Sequence, residues 1–164
     1  MLRRTLLTGL LALAATPAVA APSKGFGSLF GGGTMSESRI KSLEGPIQVT
    51  VDITTQAMKV TAGSKTVFKF DVSTGRKGFT TPTGEYRPLR MHKMWYSRKY
   101  DNAPMPFAIF FHGGYAIHGT TDLANLGNVA SHGCVRLDPA NAEKLYNLVA
   151  QVGMKNTRIT LMRS

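Results

Sequence analysis

Two histidines and one cysteine carry the reactive chemistry of this 164-residue chain. Cys134, its only cysteine, lies in Ser131-His132-Gly133-Cys134-Val135-Arg136, and Ile117-His118-Gly119-Thr120 lies upstream, with His118 sixteen residues before the thiol. A thiolate is a strong nucleophile, and an imidazole within hydrogen-bond reach favours its formation, so these types in this order point to covalent catalysis by a cysteine. Gly133 lets the backbone approach a substrate closely, and the N–H groups of Gly133 and Cys134 are candidate donors to a developing oxyanion. One such donor is typically worth about 3 kcal/mol in the transition state. His132 is read either as support for that oxyanion or as a structural donor in the loop, since His118 suffices as a base. The competing readings of the cysteine are an inert buried side chain and an intermolecular crosslink. A zinc site of His118, His132 and Cys134 is chemically allowed but lacks the C-x-x-C or H-E-x-x-H spacing.

The elements that must position these groups have mostly a period of two. Ile47, Val49, Val51 and Ile53 alternate with polar residues, Met58 and Val60 continue the pattern, Gly63-Ser64 supplies a tight turn, and Phe68, Phe70 and Val72 return it. Further strands are expected at 84–89, 106–111, 115–118, 135–137 and 157–162. One helix stands out: Asp138 caps it, Pro139 suits its first turn, Ala142, Leu145, Leu148, Val149 and Val152 form its stripe, and Gly153 ends it. The fold expected is mainly β, a sandwich or barrel-like domain with a packed helix. His118 then ends a strand that enters the loop 119–130, and Cys134 sits where that loop returns, so both reach one mouth of the domain. Trp95, Tyr96 and Tyr115 are aromatic candidates for lining it, although large aromatics more often fill cores and rims. Ser131 reads as a brace for the loop, and Asp122, from its loop position, as a candidate ligand contact.

Met1-Leu2-Arg3-Arg4, the apolar run Leu6 to Ala15 and the small-residue site Ala18-Val19-Ala20 read as a signal peptide spanning 1–20, and no other segment reads as transmembrane. Residues 21–45, rich in glycine and serine, read as a flexible linker, and 46–164 as one folded domain. Without residues 1–20 the chain holds eighteen Lys and Arg against nine Asp and Glu. Such a surface is drawn to anionic polymers, of which export makes nucleic acid the least expected. The basic residues concentrate between Arg76 and Lys99, as a solvated face or as a substrate-facing rim.

The pair of motifs around His118 and Cys134 resembles the signature of the L,D-transpeptidase (YkuD-type) catalytic domain. Gln56-x-Met58, Ser73-Thr74-Gly75, Thr81-Pro82-Thr83-Gly84, Met105-Pro106 and Leu126-Gly127 extend the resemblance over most of 47–163; Val129 departs from it where relatives often carry proline. The resemblance implies an acyltransferase of peptidoglycan that needs no metal or other cofactor. By carry-over, Cys134 attacks the third residue of a tetrapeptide stem, expels the terminal D-alanine and holds the stem as a thioester, which an amine then resolves. His118 maps to the general base, oriented by the carbonyl of Gly119. His132 and the backbone at Gly133 and Cys134 map to the oxyanion region. Arg136, with Ser131, Tyr115 and Trp95, is a candidate for substrate binding. The acceptor stays open: another stem (a 3→3 crosslink), a free D-amino acid, an outer-membrane protein to be tethered, or water in an L,D-carboxypeptidase or endopeptidase. A non-catalytic wall-binding module is the alternative of a different class. The export signal and the composition suggest a Gram-negative periplasm, with a Gram-positive wall as the other setting, and the resemblance implies acylation of Cys134 by carbapenems.

Overall fold

The computed structural model describes residues 45–164. The expected signal peptide at 1–20 and, Gly45 apart, the linker at 21–45 lie outside the described residues. Two mixed sheets enclose the core. The first has the order β3-β2-β1-β9-β4, formed by Ile47–Asp52 (β1), Ala57–Ala62 (β2), Lys65–Asp71 (β3), Gly84–Tyr86 (β4) and Thr157–Met162 (β9). The alternation in β1 and β2 does what its period demands: Ile47, Val49, Val51, Met58 and Val60 are all buried. Chain end meets chain start in this sheet, because β9 runs parallel to β1 from Ile47↔Thr157 to Asp52↔Met162. The helix α1, Pro139–Val152, is capped by Asp138, whose carboxylate accepts from the N–H groups of Ala140 (2.8 Å) and Asn141 (3.3 Å). Such a cap contributes about 1 kcal/mol. Its stripe of Ala142, Leu145, Leu148 and Val149 enters the shared core.

The second sheet has the order β5-β6-β7-β8, formed by Arg90–Ser97 (β5), Ala103–His112 (β6), Tyr115–Gly119 (β7) and Val135–Leu137 (β8). One face gives Ile109, Phe111, Ile117, Val135 and Leu137 to the main core. Its other face carries a second apolar cluster, Met105, Ala108, Phe110 and Ala116, with Trp95 and Cys134 against it. Two expectations need correction. The strand placed at 84–89 ends at Tyr86, since Pro88 has no N–H to continue a ladder. In its place β5 begins at Arg90, a strand unforeseen because basic and exposed positions break its alternation. Strand β6 starts earlier than expected and tolerates Pro104 and Pro106 because that half pairs only with β5, leaving its other edge free of ladder bonds.

Candidate active site

Register places the reactive groups. Strands β7 and β8 are parallel, with Ile117↔Val135, His118↔Arg136 and Gly119↔Leu137 as partners. Partners share a face, and side chains alternate, so Ile117, Val135 and Leu137 point into the core. His118, Arg136 and, two residues before it, Cys134 therefore share the opposite face. There they line one cavity of about 1020 Å³. His118 and Cys134 thus stand diagonally across neighbouring segments of chain, on the walls of the same cavity. Met105 and Phe110 give the cavity an apolar floor, Trp95 and Tyr115 flank it, and Arg98 and Lys99 stand on its rim.

The loop bearing Cys134 is held by residues distant in sequence. Ser131 is fully buried; its Oγ donates to the Cys134 carbonyl (2.6 Å) and accepts the Gly133 N–H (3.0 Å). Thr81 Oγ1 donates to the Gly133 carbonyl (2.9 Å) and accepts the Gly75 N–H (2.8 Å). The Thr74 carbonyl accepts from the N–H groups of Ala130 and Ser131. Thr74 in turn is fixed by buried Gln56, whose Oε1 accepts its N–H (2.8 Å) and whose Nε2 donates to its Oγ1 (2.7 Å) and to the Ile53 carbonyl (2.6 Å). Gly133 has φ +109, and a Cβ there would lie 2.7 Å from a Tyr115 ring carbon, so the position requires glycine.

A family model of the L,D-transpeptidase catalytic domain, YkuD, matches residues 46–160. The chain belongs to that family. It is 24% identical over 122 residues to a Bacillus subtilis (strain 168) protein carrying the name L,D-transpeptidase YkuD, covering 72% of this chain and 67% of the relative. The fold is similar to an L,D-transpeptidase from Stackebrandtia nassauensis, with TM-score 0.64 and 26% identity over 77% of this chain and 60% of that one. It is also similar to L,D-transpeptidase 3 from Mycobacterium tuberculosis, solved with a faropenem-derived adduct, with TM-score 0.62 and 20% identity over 73% of this chain and 61% of that one. The chain thus spans about 60% of the length of these solved structures.

In this YkuD domain the protonation states follow from the contacts. His118 Nδ1 lies 2.7 Å from the Gly119 carbonyl, which only accepts, so Nδ1 carries the proton and Nε2 keeps the basic lone pair. Burial pushes the His118 pKa down to about 4, against the Gly119 carbonyl, which favours the proton, and with Arg136, which repels it. Burial also raises the Cys134 pKa, opposed by the Ala116 backbone and Arg136. At neutral pH the resting site therefore holds a thiol, its Sγ 4.0 Å from the Gly114 carbonyl, and a neutral imidazole on the same face, whereas the motif alone suggests a preformed thiolate.

His132 has a different environment. Arg76 Nη2 approaches its Nε2 at 2.6 Å, and because a guanidinium only donates, Nε2 accepts and Nδ1 carries the proton. Its pKa is lowered by burial first and then by Arg76, Arg136 and Lys99. The ring stacks on Tyr100 (centroids 4.5 Å apart) and meets the edge of Phe79 (4.6 Å), with Arg76 over the Phe79 ring. His132 is thus presented as a neutral N–H donor.

Other expected site residues differ in placement. The Gly133 N–H, expected to face an oxyanion, is turned inward to Ser131, which leaves the Cys134 N–H as the main-chain candidate. Ser131, expected among substrate contacts, has its hydroxyl enclosed by the loop it braces. Asp122 is 3.4 Å from Arg136 and also accepts from Asn125. Tyr96 is exposed and does not line the cavity. Gln56, Arg76, Thr81 and Tyr100 were not foreseen as site residues; the quoted motifs containing Gln56 and Thr81 were the available signal. Among the described residues no cluster of His, Cys, Asp and Glu is arranged to hold a metal ion.

Proposed function

We propose that this YkuD-family chain is a peptidoglycan L,D-transpeptidase acting in the cell envelope, with Cys134 as nucleophile and His118 as base. Cys134 Sγ attacks the carbonyl of the third stem residue as its proton moves to His118 Nε2. Because burial disfavours both charged partners, transfer is coupled to attack and does not precede it. The tetrahedral oxyanion accepts from the Cys134 N–H and His132 Nδ1–H. His118 returns the proton to the departing D-alanine amine, leaving a thioester. An acceptor amine then attacks the thioester carbonyl, gives a proton to His118, and the thiol is restored as the amide forms. Acceptors of this kind include another stem, giving a 3→3 crosslink, or a protein amine to be tethered to the wall.

The observation carrying this reading is the common face of His118 and Cys134 above an apolar cavity floor. The faropenem-derived adduct of the Mycobacterium tuberculosis relative supports extending the proposal to acylation of Cys134 by penems and carbapenems. The test is mass spectrometry after incubating the protein with disaccharide-tetrapeptide. A dimer lacking one D-alanine supports transpeptidation; tripeptide monomer alone assigns water as acceptor; unchanged tetrapeptide overturns the catalytic reading in favour of a wall-binding module.

A further inference from the structure

Four cationic side chains, Arg90, Arg98, Lys99 and Arg136, line the cavity, against the carboxylates of Asp101 and Asp122. Arg136 is matched by Asp122 at 3.4 Å, the sole ion pair among the described residues. The Arg90 guanidinium carbon lies over the rings of Phe110 (3.9 Å to the centroid) and Trp95 (5.3 Å), which occupies its charge. Among the described residues Arg98 and Lys99 make no ion pair, although Asp101 stands in the same loop. Both are exposed on the loop joining β5 to β6.

That loop is built and not slack. The Tyr100 N–H donates to the Ser97 carbonyl (3.0 Å) and the Ala103 N–H to the Tyr100 carbonyl (2.8 Å). Asp101 and Asn102 both take left-handed φ, +48 and +53, as a tight two-residue reversal requires. The Tyr100 ring stacks on His132, so the arm is anchored to the catalytic loop. Lys99 Nζ is 5.4 Å from the Tyr100 ring centroid, which keeps its charge beside the site.

We infer that Arg98 and Lys99 form a carboxylate-reading subsite on the β5–β6 arm, making the enzyme selective for stem peptides with free carboxylates over the same peptides carrying amides. This deepens and rests on the transpeptidase reading above. A stem linked through the side-chain carboxyl of D-glutamate leaves the α-carboxylate free, and a cleft walled by low-dielectric floor and basic rim concentrates such anions. Amidation removes the charge while retaining size, so it isolates the electrostatic contribution. Exposed charge pairs of this kind are expected to change kcat/KM by about 2- to 5-fold per carboxylate.

The test compares the full chain on two disaccharide-tetrapeptides, one with the D-glutamate α-carboxylate free and one with it amidated. The free form is expected to be favoured, chiefly in KM, with the ratio shrinking as salt is added. The double variant Arg98→Gln/Lys99→Gln is expected to bring the ratio near one. A control pair, Lys59→Gln/Lys69→Gln, removes the same charge from facing positions on the first sheet, neither of which lines the cavity, and is expected to preserve the ratio. Equal efficiency on both peptides, or a ratio lowered as much by the control pair, overturns the subsite while leaving transpeptidation standing. Loss of D-alanine from neither peptide overturns the transpeptidase reading and this inference with it.

Discussion

A base buried neutral must leave a mark on stability. The His118 pKa falls from 6.5 in the unfolded chain to about 4 in the fold, a difference worth roughly 3 kcal/mol. Between those values the unfolded chain binds a proton that the folded chain refuses, so stability rises with pH. The contribution is complete above pH 6.5, declines by about 1.4 kcal/mol per pH unit as the medium becomes more acid, and is gone once pH has passed through about 4. The perturbation is His118→Gln, which keeps an N–H for the Gly119 carbonyl and cannot titrate. Urea unfolding, followed through Trp95, the only tryptophan, is compared at pH 7 and pH 4.5. Wild type is expected to lose roughly 2.5 kcal/mol more than the variant, a midpoint difference of about 1–2 M urea for a domain of this size. Asp52, held down to about 2 chiefly by its hydrogen bond with Ser164 and also by Thr54, titrates below this window. His132 is present in both proteins and cancels in the comparison. Parallel losses in wild type and variant would refute the neutral buried base. The same protonation state predicts that acylation declines on the acid side near pH 4 rather than near 6.5.

Three other outcomes follow from the same contacts. Iodoacetamide alkylation of Cys134 is expected to accelerate with pH toward the alkaline range, as a thiol with a raised pKa requires; a rate independent of pH between 6 and 8 would mean a preformed thiolate. Gln56→Leu strands the Thr74 N–H and removes three buried hydrogen bonds, so chemical denaturation is expected to register a loss of about 2–4 kcal/mol; a loss under about 1 kcal/mol would mean that the loop has other sufficient support. Arg76→Met removes the donor to His132 Nε2, so ring ¹⁵N shifts are expected to move from a single Nδ1–H tautomer toward a mixture and turnover to fall about 10-fold or more; unchanged shifts would separate Arg76 from the oxyanion region.

The fold was legible where one face of an element meets the core and the other meets water. That holds for β1, for β2 and for α1, whose Asp138 cap and Gly153 stop are local signals. It fails for β5. Arg90 and Trp95 turn toward a cavity, Met94 and Tyr96 toward solvent, and no apolar row survives. The second sheet is apolar on both faces near its centre, so Phe110 and Phe111, adjacent in sequence, are both buried on opposite sides. A continuous apolar run identifies such a strand but not which of its faces holds a site.

The site was legible in its reactive atoms and not in what holds them. Cys134, His118 and the Gly119 carbonyl lie in short motifs, and their placement follows from the parallel register of β7 and β8. The contacts that set loop and tautomer join Gln56 to Thr74, Arg76 to His132 and Thr81 to Gly133, all across separations that local spacing does not encode. They also change the chemistry inferred from the motif. A histidine and a cysteine on one face suggest an ion pair, yet the burial of each disfavours its charged form. For an unpaired thiol in the proposed envelope setting this has a chemical consequence. Oxidants attack the thiolate, so a protonated Cys134 resists them at rest; in the proposed mechanism it becomes nucleophilic only as a bound stem carbonyl draws its electrons and His118 takes its proton.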